Sequence, residues 1–139
     1  MIGIGGWLIT INQGCACRFE DLWTVGVVET GATNISRFEV GQRSMPIKID
    51  LIECHPLGSH AFYPLQDEEW LVLVCADPLK ANSYRCFRAI GQQGVNYARN
   101  IWHFPLLVFE PSRFIVVDRK GTGVNLEEVK LSKPLSIAV

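Results

Sequence analysis

The sequence predicts an all-β chain, a closed barrel or sandwich with little helix. Three observations carry that expectation. Short apolar or alternating runs recur along the whole chain, and valine, isoleucine and aromatic residues dominate them. Gly, Asn, Asp or Pro breaks the runs roughly every eight to twelve residues, the spacing of strands and turns. Helical periodicity is almost absent.

The elements follow in order. "TVGVVET" (24–30) and "NISRFEV" (34–40) are short β-prone runs between turn residues. "PIKIDLIE" (46–53) alternates, with Ile47, Ile49 and Leu51 on one face and Lys48, Asp50 and Ile52 on the other. One face should line a core and the other should meet solvent or a second sheet. "HAFYPL" (60–65) is aromatic, and "EWLVLVCAD" (69–77) is apolar without alternation, as expected of a strand covered on both faces. "YRCFRAI" (84–90), "FPLLVFE" (104–110) and "RFIVVDR" (113–119) complete the strands. One helical hint, "NLEEVK" (125–130), comes near the end. With no repeat, low-complexity segment or linker, residues 1–139 read as a single domain.

Bulk numbers exclude several classes. Hydrophobic residues are 48% and charged residues 19%, so a packed globule is expected. Net charge is −1 with no cluster of lysines or arginines, which argues against nucleic acid or a polybasic membrane patch as partner. No apolar run approaches the roughly eighteen residues of a membrane span. "MIGIGGWLIT" has neither the basic start nor the cleavage site of a signal peptide. The five cysteines form no C-x-x-C pair, and Cys15 and Cys17 lack the second pair a zinc site needs. They read as small core residues of a reduced, cytoplasmic protein.

Polar chemistry concentrates in two places. "IECHPLGSH" (52–60) holds His55 and His60, two of the three histidines, next to Glu53 and Cys54. "GQQGVNYARNIWHFP" (91–105) carries Asn96, Tyr97, Arg99, Trp102 and His103, and reads as a long connection that either solvates itself or rims a site. Each histidine-bearing segment borders a strand, so the two can face one another across a barrel mouth. Three imidazoles, or two with Glu53, suit a divalent metal; two alone suit an acid and a base. Structural histidines near turns are the plain alternative. His60 is the weakest member, because strand alternation does not oblige it to point with His55. Arg119, at the end of the last strong strand, is either a charged strand exit or a cation for a substrate carboxylate.

At these clusters the chain resembles the ureidoglycolate lyase family. The family pattern E-R-H-P-L-G-S-Q-A-F-I-P-L is matched by "ECHPLGSHAFYPL" (53–65), and G-V-N-Y-H-R-N-V-W-H-H-P-L by "GVNYARNIWHFPL" (94–106). "VVDRKG" (116–121) and "INQGCACRFEDL" (11–22) fall in matching order, so the likeness runs from about residue 11 to the C-terminus. The chain departs from the pattern at Glu20, Glu39, Cys54, His60, Ala98 and Phe104, and looks like a divergent, N-terminally short member.

The resemblance implies a cupin-like (double-stranded β-helix) barrel, a homodimer, and release of urea from (S)-ureidoglycolate to give glyoxylate in allantoin breakdown. It implies His55 and His103, with Glu53 beside them, for the proton or metal work. Arg119, Arg99, Asn96, Tyr97 and Trp102 would bind the small-molecule substrate. His60 stands where the family pattern has glutamine, so its candidacy rests on the three imidazoles themselves. His55, His60 and His103 would be the ligands if a divalent metal such as nickel is bound, and otherwise His60 would join the substrate-binding residues. Two other readings remain open: a cupin enzyme acting on another small hydroxy- or amino-acid, and a non-catalytic, degenerate member.

Overall fold

A computed structural model describes residues 7–138. The first six residues of "MIGIGGWLIT", the segment that does not read as a signal peptide, lie outside the described residues. Eleven strands follow in order: β1 (Trp7–Ile11), β2 (Ala16–Glu20), β3 (Ala32–Val40), β4 (Ile47–Cys54), β5 (His60–Pro64) and β6 (Trp70–Cys75). Then come β7 (Tyr84–Ala89), β8 (Val95–Tyr97), β9 (Trp102–Val108), β10 (Ser112–Lys120) and β11 (Glu127–Ile137). Two three-residue 3-10 turns are the helical segments among the described residues, and neither is long and apolar enough to cross a membrane.

Every strand pairing is antiparallel. The hairpin β1-β2 stands apart from a four-stranded sheet, β3-β10-β5-β8, and a five-stranded sheet, β11-β4-β9-β6-β7. From β3 onward consecutive strands alternate between the two sheets, except for the β6-β7 hairpin, so the chain crosses back and forth between two curled layers. This is the all-β barrel that the strand rhythm predicts, and it is consistent with the cupin-like fold that the resemblance implies.

Side-chain alternation divides the core in two. Phe62, Phe114 and Val116 from the smaller sheet meet Trp70, Val72 and Val108 from the larger one inside the barrel. Leu71 and Leu73 lie on the opposite face of β6, where they pack with Ile47, Ile49 and Leu107. The unbroken apolar run of β6 is therefore explained: both faces are covered. Each such side chain contributes about 1.5–3 kcal/mol by leaving water.

Five local expectations need correction. Residues 24–30 form no strand; they run over the sheet and make one isolated bridge, Val27 to Gly58. The helical hint at 125–130 is part of β11, because pairing with β4 supplies partners that a short, uncapped helix lacks. The connection 91–105 contains β8 and the start of β9. In β4 the alternation slips: Leu51 is half-buried and Ile52 fully buried, opposite an irregularity in β11 between Lys130 and Leu135. Of the cysteines only Cys54 and Cys75 are buried; Cys15, Cys17 and Cys86 are exposed, and all five are free. The hairpin and the edge strand β7 carry the exposed three away from the core.

Candidate functional site

Strand register builds the site. Glu53, near the end of β4, pairs with His103 on β9, and paired residues share a face. His103 in turn pairs with Val74, which packs against the barrel core, so His103 and Glu53 face inward. From the other sheet, His60 opens β5 and pairs with Tyr97 on β8. His55 follows β4 in the short "HPLG" turn that returns the chain to β5. Because that turn interrupts alternation between residues 55 and 60, both rings can face the same point. The structure thus brings in the histidine the sequence ranked weakest.

The distances are short. Ring centroids lie 4.5 Å apart for His55 and His60, 5.4 Å for His55 and His103, and 5.9 Å for His60 and His103. One ring nitrogen from each falls within 4.8 Å of the others. Glu53 Oε1 stands 3.7 Å from His55 Nε2 and 3.9 Å from His103 Nε2. Tyr97 stacks on His103 at 3.9 Å, and Phe62 lies 4.3 Å from His60. His103 is 1% and His60 8% exposed, whereas the side chains of His55 and Glu53 retain 16% each. The cluster therefore opens toward His55 and Glu53.

Hydrogen bonds orient two of the rings. His55 Nδ1 lies 2.7 Å from the Asn125 carbonyl oxygen, and His103 Nδ1 lies 2.8 Å from that of Ile101. A carbonyl only accepts, so each Nδ1 carries the proton and each Nε2 presents a lone pair. Those Nε2 atoms, and both nitrogens of His60, are buried without a hydrogen-bond partner in the protein. Buried polar atoms are normally paired, so a cluster of unpaired ring nitrogens is a signal in itself.

Electrostatics separates the three. Burial, reinforced by the neighbouring imidazoles, lowers His60 to about 3. Burial also lowers His103 to about 4, outweighing the Ile101 carbonyl. In His55 burial is overcome by Glu53, the Asn125 carbonyl and Asp118, and its pKa is raised. Burial pushes the Tyr97 hydroxyl far up, so it stays neutral. Two neutral imidazoles and one that takes a proton more readily thus meet, with a carboxylate beside His55 and His103. Neutral imidazole is the form that ligates a metal.

The other expected substrate residues sit elsewhere. Arg99 is exposed at the rim, with Nη1 3.4 Å from the Pro56 carbonyl. Trp102 pairs with Cys75 and packs in the outer cluster, on the face of β9 opposite His103. Asn96 donates to the Thr24 carbonyl at 3.1 Å and holds the covering loop. Arg119 occupies the face of β10 away from Phe114 and Val116. It is 7% exposed, and it donates from Nε to Val28 O at 3.1 Å and from Nη2 to Thr122 O at 2.8 Å. A side-chain carbon added at Gly31 or Gly58 would collide with it. Its charge is spent on main-chain carbonyls. One nearby group, Asn125, was absent from the expected set and lay in the segment read as helix. Asp118, a matched position of the family pattern in "VVDRKG", is held by Asn34 Nδ2 at 2.8 Å and bears on His55 from β10.

A family model described as ureidoglycolate lyase matches residues 7–138. The chain is 44% identical over 134 residues to the ureidoglycolate lyase of Burkholderia mallei (strain NCTC 10229), covering 94% of this chain and 79% of that protein. It is 48% identical over 121 residues to ureidoglycolate lyase 1 of Rhizobium meliloti (strain 1021), covering 85% and 71%. To the ureidoglycolate lyase of Pseudomonas putida (strain GB-1) it is 42% identical over 122 residues, covering 85% and 73%.

Proposed function

The chain belongs to the ureidoglycolate lyase family, and from that premise we propose that it releases urea from ureidoglycolate, leaving glyoxylate, at the cluster of His55, His60, His103 and Glu53. The observation that carries the reading is the convergence of unpaired, buried imidazole nitrogens on one carboxylate. A structural role for these rings would have given the nitrogens partners.

The donor set fits a divalent cation. Three histidines offer ring nitrogens within 4.8 Å of one another, two of them oriented through Nδ1 by main-chain carbonyls. Such outer hydrogen bonds are the usual support of metal-binding histidine. His55, His60 and His103 would hold the ion, with Glu53 beside them. A divalent cation such as nickel supplies Lewis acidity toward the hydroxyl and carboxylate oxygens of the substrate.

The remaining chemistry is proton transfer. Ureidoglycolate carries a hydroxyl and a ureido nitrogen on one carbon. Glu53 takes the hydroxyl proton, the carbon–oxygen bond becomes a carbonyl, and the carbon–nitrogen bond breaks. The same proton passes to the departing nitrogen, so urea leaves neutral and no other reactant is needed. Arg99, at the rim, meets the carboxylate as the substrate enters; Tyr97 holds His103 in place by stacking. The reading extends to what the family resemblance implies: a homodimer serving allantoin breakdown in the cytoplasm.

The test is direct. Purified protein given racemic ureidoglycolate, with and without added nickel, should form glyoxylate and urea in equal amounts. No product at high protein concentration under either condition rejects the proposal.

A further inference from the structure

Asn125 reaches the histidine turn twice from the connection between β10 and β11. Its main-chain oxygen lies 2.7 Å from His55 Nδ1, and its side-chain Oδ1 accepts the Leu57 N–H at 2.7 Å. The two bonds straddle Pro56, which has no N–H to give. The connection is itself seated. Gly123 adopts φ +91, and any side chain there would press on Leu57, while Arg119 Nη2 holds the Thr122 carbonyl at 2.8 Å. Asn125 is thus fixed between a buried arginine and the turn.

The arrangement matters because His55 and His103 are oriented by different means. His103 finds its carbonyl two residues away, at Ile101, within its own chain segment. His55 finds one 70 residues away, on another element. If that element shifts, the imidazole loses the acceptor that keeps the proton on Nδ1, and Nε2 ceases to be a reliable lone pair. The Oδ1–Leu57 bond ties the turn to the carbonyl.

We propose that Asn125 is a positioning residue: its side chain pins the "HPLG" turn so that its own carbonyl selects the His55 tautomer whose Nε2 faces His103 and Glu53. This deepens the proposed reading of the cluster and rests on it. Asn125 touches no substrate; it acts through His55.

The experiment is nitrogen NMR of the full chain labelled at histidine, run metal-free on the wild type, Asn125→Ala and Asn125→Asp, with nickel titration alongside. The wild type should show His55 as a single species protonated at Nδ1. Asn125→Ala should fold, give a mixture of tautomers, and bind nickel about 10–100-fold more weakly. Asn125→Asp keeps the acceptor oxygen and should restore both. A wild type with His55 protonated at Nε2, or averaged, overturns the proposal whatever the variants do, including an alanine variant that fails to fold. A folded alanine variant with one Nδ1-protonated species also overturns it. Should the wild type bind no nickel, the reading of the cluster as a metal site fails, and the tautomer result still decides the role of Asn125.

Discussion

His55 and His103 stand with ring centroids 5.4 Å apart, each giving its Nδ1 proton to a main-chain carbonyl and leaving Nε2 near Glu53 Oε1. They arrive from opposite directions, one from the turn after β4 and one from β9. The Glu53–His103 register between those strands makes the meeting obligatory: once β4 and β9 pair, the two residues share the inner face.

Replacing either ring by an amide should therefore disable the reaction and spare the fold. We expect His55→Asn and His103→Asn each to lower kcat/KM for urea release by about 10²–10⁴-fold. Circular dichroism and the urea midpoint would check folding. Wild-type rates in both variants would place the chemistry elsewhere.

Nickel should stabilise the protein by mass action. At about one hundred times its dissociation constant, a ligand bound only by the folded state adds about 2.7 kcal/mol. Stripped protein should show that rise in unfolding free energy on adding nickel. Glu53→Gln should weaken nickel binding about 10–100-fold, since the carboxylate lies beside two of the ligands. A thermal midpoint indifferent to nickel, cobalt, manganese and zinc would remove the metal from the account.

Much of this was legible in the chain, for identifiable reasons. Strands β3, β4, β5, β6, β7, β9 and β10 were visible because β-branched and aromatic runs broken by turn residues are a local property. The pairing of His55 with His103 was visible as two polar clusters on strand borders. Long-range pairing was not visible. The segment around Glu127 and Glu128 reads as helix until β4 is placed next to it. Arg119 reads as a charged strand exit or a cation for a substrate carboxylate until the carbonyls of Val28 and Thr122 are seen around it. Asn125 gave no signal, because half its contribution is a main-chain oxygen and carries no sequence identity.

Acid should destabilise the metal-free protein through His60 and His103. Their folded pKa values, about 3 and about 4, lie below the ordinary 6.5. Between those values and 6.5 the unfolded chain binds protons that the folded chain refuses, so stability rises with pH and is lost as pH falls. His55, whose pKa is raised, works in the opposite sense and offsets part of the effect. The urea midpoint should drop from about pH 7 to about pH 4.5, and His60→Gln should flatten that drop by removing one of the buried titrating groups. An unchanged slope in the variant would mean that His60 takes no part in acid unfolding.

Arg119 and Arg99 should fail in different ways. Arg119 is buried among Gly31, Gly58 and the carbonyls of Val28 and Thr122, so its loss leaves unpaired oxygens and a void. Arg119→Ala should cost about 2–4 kcal/mol of stability, with KM of the folded fraction unchanged. Arg99 makes one long contact at the rim and is exposed, so Arg99→Ala should leave stability alone. Its effect should appear as a KM raised about tenfold at nearly constant kcat, the mark of binding shared by ground and transition states. If instead Arg119→Ala folds normally and raises KM, the buried guanidinium serves the substrate after all, and the assignment of the two arginines must be exchanged.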